Sequence, residues 1–214
     1  MTEFSTLKLH STLLKNLEKE GYKTPTPIQL QTIPSLLDKS DLLGIAQTGT
    51  GKTAAFALPI LHRLATSYRP LAPRACRALI LSPTRELSGQ ILESLRNYGR
   101  NLKLSSDVVY GGIPINRQIR ALAQGVDILV ATPGRLLDLV NQNALSLSKV
   151  EILVLDEADQ MLDMGFIHDI RQLDKYIPKA RQTMLFSATM PKAIAELAAN
   201  FLKNPLRVEV TPVA

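Results

Sequence analysis

A parallel α/β sheet, buried between two layers of helices, is the fold class this sequence predicts. Three observations carry that expectation. Apolar, β-rich runs recur at 42–47, 77–83, 107–110, 126–132, 151–155 and 183–187, with helical patterns between them. Several of these runs ("RALILSP", "VDILVAT", "VEILVLDEA") are continuous where half-buried strands would alternate, as expected for strands covered on both faces. Strand and helix patterns also alternate along the chain, which is how parallel α/β units are built.

The elements follow in order. "STLLKNLEKEG" (11–21) is an amphipathic helix that Ser11 or Thr12 starts and Gly21 stops. In "YKTPTPIQ", Pro25 and Pro27 impose an extended segment running over the surface. A helix over 85–98 places Leu87, Ile91, Leu95 and Tyr98 on one face. Pro114 opens another at "PINRQIRALAQ", and Gly125 closes it. "NPLRVEVTPVA" looks like a last strand running into a linker, for a sheet of roughly six to eight strands. Ligands of such sheets bind at the carboxyl ends of the strands.

Composition excludes several classes. A chain of 214 residues, 45% apolar and 21% charged, is one globular domain or at most two small ones. The apolar run "AAFALPIL" is far short of the roughly 20 residues that cross a bilayer. The N-terminus lacks the basic and apolar regions of a secretion signal. The single cysteine, Cys76, cannot form an internal disulfide, so the expected location is cytoplasmic. His10, His62 and His168 lack metal-ligand spacing. The net charge of +6 leaves open both a polyanionic partner and a mildly basic enzyme without one. No block of like charges is present, so a nucleic-acid surface has to be assembled by the fold.

The chemistry begins at "AQTGTGKT" (46–53). It ends like a phosphate-binding loop, but Ala46 stands where the general pattern G-x-x-x-x-G-K-[ST] has glycine. The strand-loop-helix context is correct: Gly49 and Gly51 let backbone N–H groups face an anion, and the following helix adds its positive end. Lys52 reaches the β- and γ-phosphates, and the Thr53 hydroxyl binds Mg²⁺. Further on, "VEILVLDEAD" delivers Asp156 to a strand end where phosphate-bound Mg²⁺ sits. Glu157 follows, placed to orient or deprotonate an attacking water. Together these motifs predict metal-assisted nucleotide hydrolysis, with ATP and Mg²⁺ as cofactors.

Asp156-Glu157-Ala158-Asp159 spells the tetrapeptide of the DEAD-box ATP-dependent RNA helicases, and the chain resembles that family over nearly its whole length. "GYKTPTPIQ" looks like its adenine-reading Q motif, with Phe4 at the upstream aromatic position. "PTREL", Gly111-Gly112, "TPGR" and "SAT" resemble further family motifs in the family's order. The phrases "ILVATPGRLLDLV" and "VLDEADQMLDMGFIHDIR" look closest to the bacterial RhlE-type branch. Alanine at the start of the phosphate loop is the family's own version, so Ala46 becomes a marker.

The resemblance implies a RecA-like P-loop NTPase domain with a mostly parallel β-sheet and helices on both faces. It implies nucleotide binding by Phe4, Tyr22, Lys23, Pro25, Gln29, Gln47, Thr48, Gly49, Thr50, Gly51, Lys52 and Thr53. Gln29 would pair with the adenine N6 and N7 edge, selecting ATP over GTP. Phe4 would stack on the base, although by itself it equally suits a staple on the first helix. Lys52, Asp156 and Glu157 would be catalytic, and Thr53 and Asp156 would hold Mg²⁺, partly through water. Pro83, Thr84, Arg85, Gly111, Gly112, Thr132, Pro133, Gly134 and Arg135 would contact RNA backbone, without sequence readout. Asp159, Ser187 and Thr189 would couple hydrolysis to strand separation.

Two departures from the family pattern, Ser88 after "PTREL" and Gln160 after the tetrapeptide, are expected to matter little. The family's "HRxGRxxR" segment, which carries its transition-state arginines, is absent. Lacking such an arginine can cost on the order of 10³–10⁵ in rate. The expected organisation is therefore an N-terminal helix and Q motif (1–30), a RecA-like domain (31–208) and the start of a linker (209–214). The expected partners are RNA and a second RecA-like domain of a longer protein, and the lone domain is expected to be monomeric with little activity. A DNA-directed relative and a nucleotide-sensing module stay open as alternatives.

Overall fold

The computed structural model describes residues 3–211. Its strands are β1 (Leu42–Ile45), β2 (Cys76–Leu81), β3 (Ser106–Val109), β4 (Val126–Ala131), β5 (Ile152–Leu155), β6 (Gln182–Ser187) and β7 (Leu206–Glu209). All pair in parallel in one sheet of order β3-β4-β2-β5-β6-β1-β7. The described sheet is thus wholly parallel, with seven strands.

Side chains alternate across the sheet, and each face buries its own core. On one face, Leu42, Ala78, Ile80 and Val154 pack against α1 (Ser11–Lys19), α2 (Pro27–Leu37), α3 (Lys52–Thr66) and α4 (Arg85–Tyr98). On the other, Leu43, Leu79, Leu81 and Leu155 meet α5 (Ile115–Leu122), α6 (Pro133–Asn141), α7 (Ala158–Asp163), α8 (Ile167–Asp174) and α9 (Lys192–Phe201). Central strands buried twice over explain the continuous apolar runs. Each buried leucine contributes about 1.5–3 kcal/mol. Leu79→Ala, at a position with no exposed surface, would cost about 2–5 kcal/mol.

β1 to β4 stop a residue or two earlier than their apolar runs suggest, whereas β5 and β6 end where expected, and the reason bears on function. Ala46, Ser82, Thr132 and Asp156 each still donate one backbone bond to the neighbouring strand's end, to Ser187, Ala131, Val109 and Leu81 respectively. Beyond them the neighbours have turned away, so the chain leaves the ladder with its first loop residue pinned.

The N-terminal expectations need three corrections. The cap of α1 is neither Ser11 nor Thr12 but His10, whose Nδ1 accepts the Thr12 N–H at 3.1 Å. Pro27 lies inside α2, at a first-turn position where its missing N–H is harmless, so the extended segment ends at Thr26. The boundary drawn between residues 30 and 31 falls inside α2, which shares the α3 and α4 core. At the other end Glu209 is still in β7, and Val210 donates to Ile45. The linker drawn from 209 therefore starts too early; its residues 212–214 lie outside the described residues.

Candidate functional site

Strand order sorts the motifs into two neighbouring halves of one edge. The carboxyl ends of β5, β6 and β1 are adjacent and carry the acidic tetrapeptide, "SAT" and the glycine-rich loop. Next to them, the ends of β3, β4 and β2 carry Gly111-Gly112, "TPGR" and "PTREL".

In the first half, the loop after β1 turns through two left-handed glycines, Gly49 (φ +89°) and Gly51 (φ +88°). Gly51 is doubly required, since an added Cβ would come within 2.6 Å of Gln29 Nε2. The loop is braced by Thr50 Oγ1, which donates to the Gln47 carbonyl at 2.7 Å. It delivers the chain to the N-terminus of α3, whose first N–H groups have no intrahelical partner and attract anions. Thr53 sits half-buried in that first turn. Gln47, Thr48, Lys52, Glu157 and Asp159 line one recess of about 330 Å³.

Lys52 Nζ lies 2.6 Å from Asp156 Oδ1 and 3.5 Å from Glu157 Oε1. Asp156 is completely buried, and its other oxygen, Oδ2, has no hydrogen-bond partner. Burial pushes the Asp156 carboxyl above the usual carboxylate range, with the Lys52 ammonium pulling it back down. Glu157 occupies the left-handed region (φ 52°, ψ 55°), which non-glycine residues enter only under local constraint. Its carboxylate accepts the Thr48 hydroxyl at 3.1 Å, joining the two loops. Two residues on, Asp159 Oδ2 accepts both the N–H (3.1 Å) and the hydroxyl (2.9 Å) of Thr189. Ser187 Oγ accepts the Asp159 N–H at 3.2 Å and donates to the Thr189 carbonyl at 2.7 Å. Hydrogen bonds thus tie the "DEAD" turn to "SAT".

The Q-motif side chains make contacts within the chain. Gln29, at the third position of α2, reaches back so that Oε1 accepts the Thr26 N–H, while Nε2 donates to the Gly51 carbonyl, both at 3.0 Å. Its amide is engaged with its own helix start and the phosphate loop, which leaves one lone pair and one N–H for a base. Phe4 is only 5% exposed and packs with Leu7, Leu13 and Leu17, the staple role. Beside it, Tyr22 and Lys23 line a recess of about 320 Å³. Tyr22 also meets Tyr98 edge-on with ring centroids 6.3 Å apart. Pro25 is buried at the turn into α2.

In the second half, most side chains expected to reach RNA are occupied. Thr84 caps α4, its Oγ1 accepting the Leu87 N–H at 3.1 Å, and Pro83 is buried. Thr132 is buried at the N-cap position of α6 without a side-chain capping bond, with Pro133 at the first turn and Gly134 half-buried behind. Arg135 Nη1 donates to the Ile113 carbonyl and to Gln118 Oε1, both at 2.9 Å. Gln118 is buried and uses its Nε2 to donate to the Tyr110 carbonyl at 2.9 Å. Gln118 and Arg135 therefore clamp both sides of the exposed Gly111-Gly112 turn, where Gly112 is left-handed (φ +86°). Of the side chains expected to reach RNA in this half, only that of Arg85 is exposed, its guanidinium 4.9 Å above the Tyr110 ring.

Sequence reasoning missed Gln118 and Tyr110. The available signal was a glutamine at a buried helical position, between Ile115 and Leu122 on the inward face of α5. Ser88, expected to matter little, is fully buried and shares its hydroxyl with Ser82 Oγ and the Thr84 carbonyl.

A family model described as DEAD/DEAH box helicase matches residues 26–197. The chain is 48% identical over 208 residues to "DEAD-box ATP-dependent RNA helicase CshA" of Streptococcus pneumoniae, covering 97% of this chain and 39% of that protein. It is 48% identical to "ATP-dependent RNA helicase CshA" of Limosilactobacillus reuteri, covering 97% of this chain and 41% of that one. The crystal structure of a DEAD box protein from the hyperthermophile Methanococcus jannaschii superposes with a TM-score of 0.91 at 36% identity, over 99% of this chain and 56% of that one. The chain thus spans well under half the length of the two curated relatives.

Proposed function

The chain belongs to the DEAD/DEAH box helicase family, and on that premise we propose that it is the ATP-binding RecA-like half of an ATP-dependent RNA helicase. The single observation carrying this reading is the contact of Lys52 with Asp156 beside a left-handed glycine loop, with Asp156 Oδ2 buried and unpartnered. A buried carboxylate oxygen without a hydrogen bond is costly, and a cation satisfies it. Oxygen donors of this kind suit Mg²⁺, which is held by one or two protein oxygens together with substrate phosphates. Asp156 and the Thr53 hydroxyl would hold it; when bound, Mg²⁺ neutralises charge on the phosphate oxygens.

The chain's own groups then have distinct tasks. The backbone N–H groups at Gly49 to Thr53 and the α3 N-terminus bind the β- and γ-phosphates. Lys52 transfers its ammonium from Asp156 to phosphate, so nucleotide replaces one ion-pair partner with another and frees Asp156 for metal. Glu157, carried out of the strand direction by its left-handed backbone, orients water and takes its proton. Asp159, through Thr189 and Ser187, transmits any displacement of the tetrapeptide to the end of β6. Gln29 ties the base-reading segment to Gly51, so base recognition and loop closure move together. RNA is held along the neighbouring half by backbone N–H groups of the Gly111-Gly112 turn and by Arg85, which read no sequence.

Unwinding belongs to the longer protein, in which a second RecA-like domain closes over this edge and supplies the transition-state arginines. We assign that protein to the cytoplasm; among the described residues no helix is long and apolar enough to cross a membrane. Assignment to an RhlE-type branch rests on two phrases of sequence alone, and the relatives compared above carry the name CshA. The test is RNA-stimulated ATP turnover of the full-length protein with Glu157→Gln. Turnover should fall by roughly 10²–10⁴ with ATP binding retained. Equal turnover would remove the catalytic assignment.

A further inference from the structure

The opposite end of the sheet carries a positive field that the ATP site lacks. Sheet order sets the segments entering β3, β4, β2, β5 and β6 side by side at the amino-terminal edge. Lys103 precedes β3, Arg69 and Arg74 precede β2, Lys149 precedes β5 and Lys179 precedes β6. With neighbouring strands about 4.8 Å apart, these cations form a row about 19 Å long. All are exposed, and none is salt-bridged among the described residues.

The carboxylates of that edge are already committed. Glu151 is 2.7 Å from Arg77 and Asp174 is 2.7 Å from Arg181. Asp127 accepts the Ser105 N–H at 2.9 Å. Asp41 accepts the N–H groups of Thr183 and Lys203 at 2.8 and 2.7 Å. Asp127 and Asp41 keep their charge, but the five cations of the row outnumber these two carboxylates, so the row stays net positive. The recess around Lys52, in contrast, sets that one cation against Glu157, Asp159 and Asp163.

Tyr68 stands in the middle of the row with 81% of its surface exposed. The Arg69 guanidinium folds back beside it, donating to the Tyr68 carbonyl at 3.0 Å. The loop 67–75 forms a wall between recesses of about 570 and 180 Å³, and Arg69 and Leu71 line both. An open aromatic ring amid a line of cations is what single-stranded nucleic acid requires: charge along the backbone and a face for a base.

We propose that this edge is a second RNA-contact surface. An extended single strand lays its phosphates along Lys103, Arg69, Lys149 and Lys179 and stacks a base on Tyr68. The proposal rests on the RNA-helicase reading above and extends it to a face remote from Lys52. A row of cations matches an extended polyanion at each step, whereas an acidic protein segment would more often meet a compact cluster. Because the surface lies at the other strand ends from the phosphate loop, its contribution to affinity is independent of nucleotide.

The test is photo-crosslinking of this chain to a 4-thiouridine-substituted single-stranded oligonucleotide without nucleotide, followed by peptide mapping. The expected result is an adduct on the peptide containing Tyr68. Adducts confined to the segment around Arg85 and Gly112 would overturn the second surface and leave the helicase reading standing; no adduct at either place would overturn both. Tyr68→Ala should weaken oligonucleotide binding roughly five- to a hundred-fold, with Tyr68→Phe restoring it. The triple variant Arg69→Ala, Lys103→Ala, Lys149→Ala, altered only at exposed positions, should lower the slope of log affinity against log salt by about 2. An unchanged slope contradicts the proposal, as does tighter binding of an oligoglutamate peptide than of RNA at this edge, which would indicate an acidic protein partner.

Discussion

The two halves of the functional edge solve the same problem in opposite ways. Around β1, β5 and β6 the reactive groups are buried and left incomplete: Asp156 Oδ2 has no partner, Lys52 leans on a carboxylate, and Glu157 sits in left-handed backbone. Around β2, β3 and β4 the polar side chains are complete, with Thr84, Gln118 and Arg135 all spent on their own loops. An incomplete site gains when ligand arrives, which suits a pocket that must respond to ATP. A braced site offers a preset backbone, which suits repeated contact with a uniform phosphate chain.

That contrast can be broken first at Lys52. Removing one partner of a buried ion pair costs about 3–5 kcal/mol, so Lys52→Ala should destabilise the ligand-free chain as well as weaken ATP binding. Replacing both partners with apolar residues (Lys52→Met with Asp156→Leu) should recover most of that stability in urea unfolding while ATP binding stays lost. If the double variant is no more stable than the single one, the loss in Lys52→Ala does not come from leaving Asp156 buried without its partner.

The braced half is sharpened by Gln118→Leu. It removes the donation to Tyr110 and the acceptor for Arg135, at about 1–3 kcal/mol. RNA affinity should fall roughly ten-fold or more, measured by anisotropy on the full-length protein. The affinity of the lone chain for ATP should stay unchanged. A parallel loss of ATP affinity would show that the halves are not independent.

The division also explains how much could be read in advance. The glycine loop, the acidic strand end and the strand-helix alternation are local patterns, and each is legible because its physics acts within a few residues. The bonds from Asp159 to Thr189 were legible only through the family resemblance. Gln118 and Tyr110 escaped because their partners lie on other elements, and a helical glutamine looks like any surface glutamine until its face is known. The contacts of Arg135 escaped for the same reason: its acceptors, the Ile113 carbonyl and Gln118, are created by the fold. His10 was missed as a cap because imidazole seldom serves there.

A smaller effect tests that last contact. The His10 N–H donates to His62 Nδ1 at 2.9 Å, and His62 is held below its ordinary pKa, first by burial and then by the nearby His10. A base with a depressed folded-state pKa takes up protons more readily when unfolded. Its contribution is complete above about pH 6.5 and is lost as pH falls toward the folded value. The stability of the wild type should therefore decline between pH 7 and 5.5, with α1 amides exchanging faster. His62→Asn, which keeps an acceptor without a titrating group, should flatten that part of the profile. A profile identical to wild type would assign the decline to other groups. Smaller still is the thiol: burial pushes Cys76 up to about 12, so a disulfide reagent at pH 8 should leave it unmodified until the chain unfolds.

The most direct measurement is a calorimetric titration of Mg·ATP into the wild-type chain and into Lys52→Ala. The geometry predicts binding by the wild type and a loss of at least ten-fold in the variant, because an ion pair to phosphate is removed. Equal affinities in the two proteins would contradict the assignment of this edge as the ATP site.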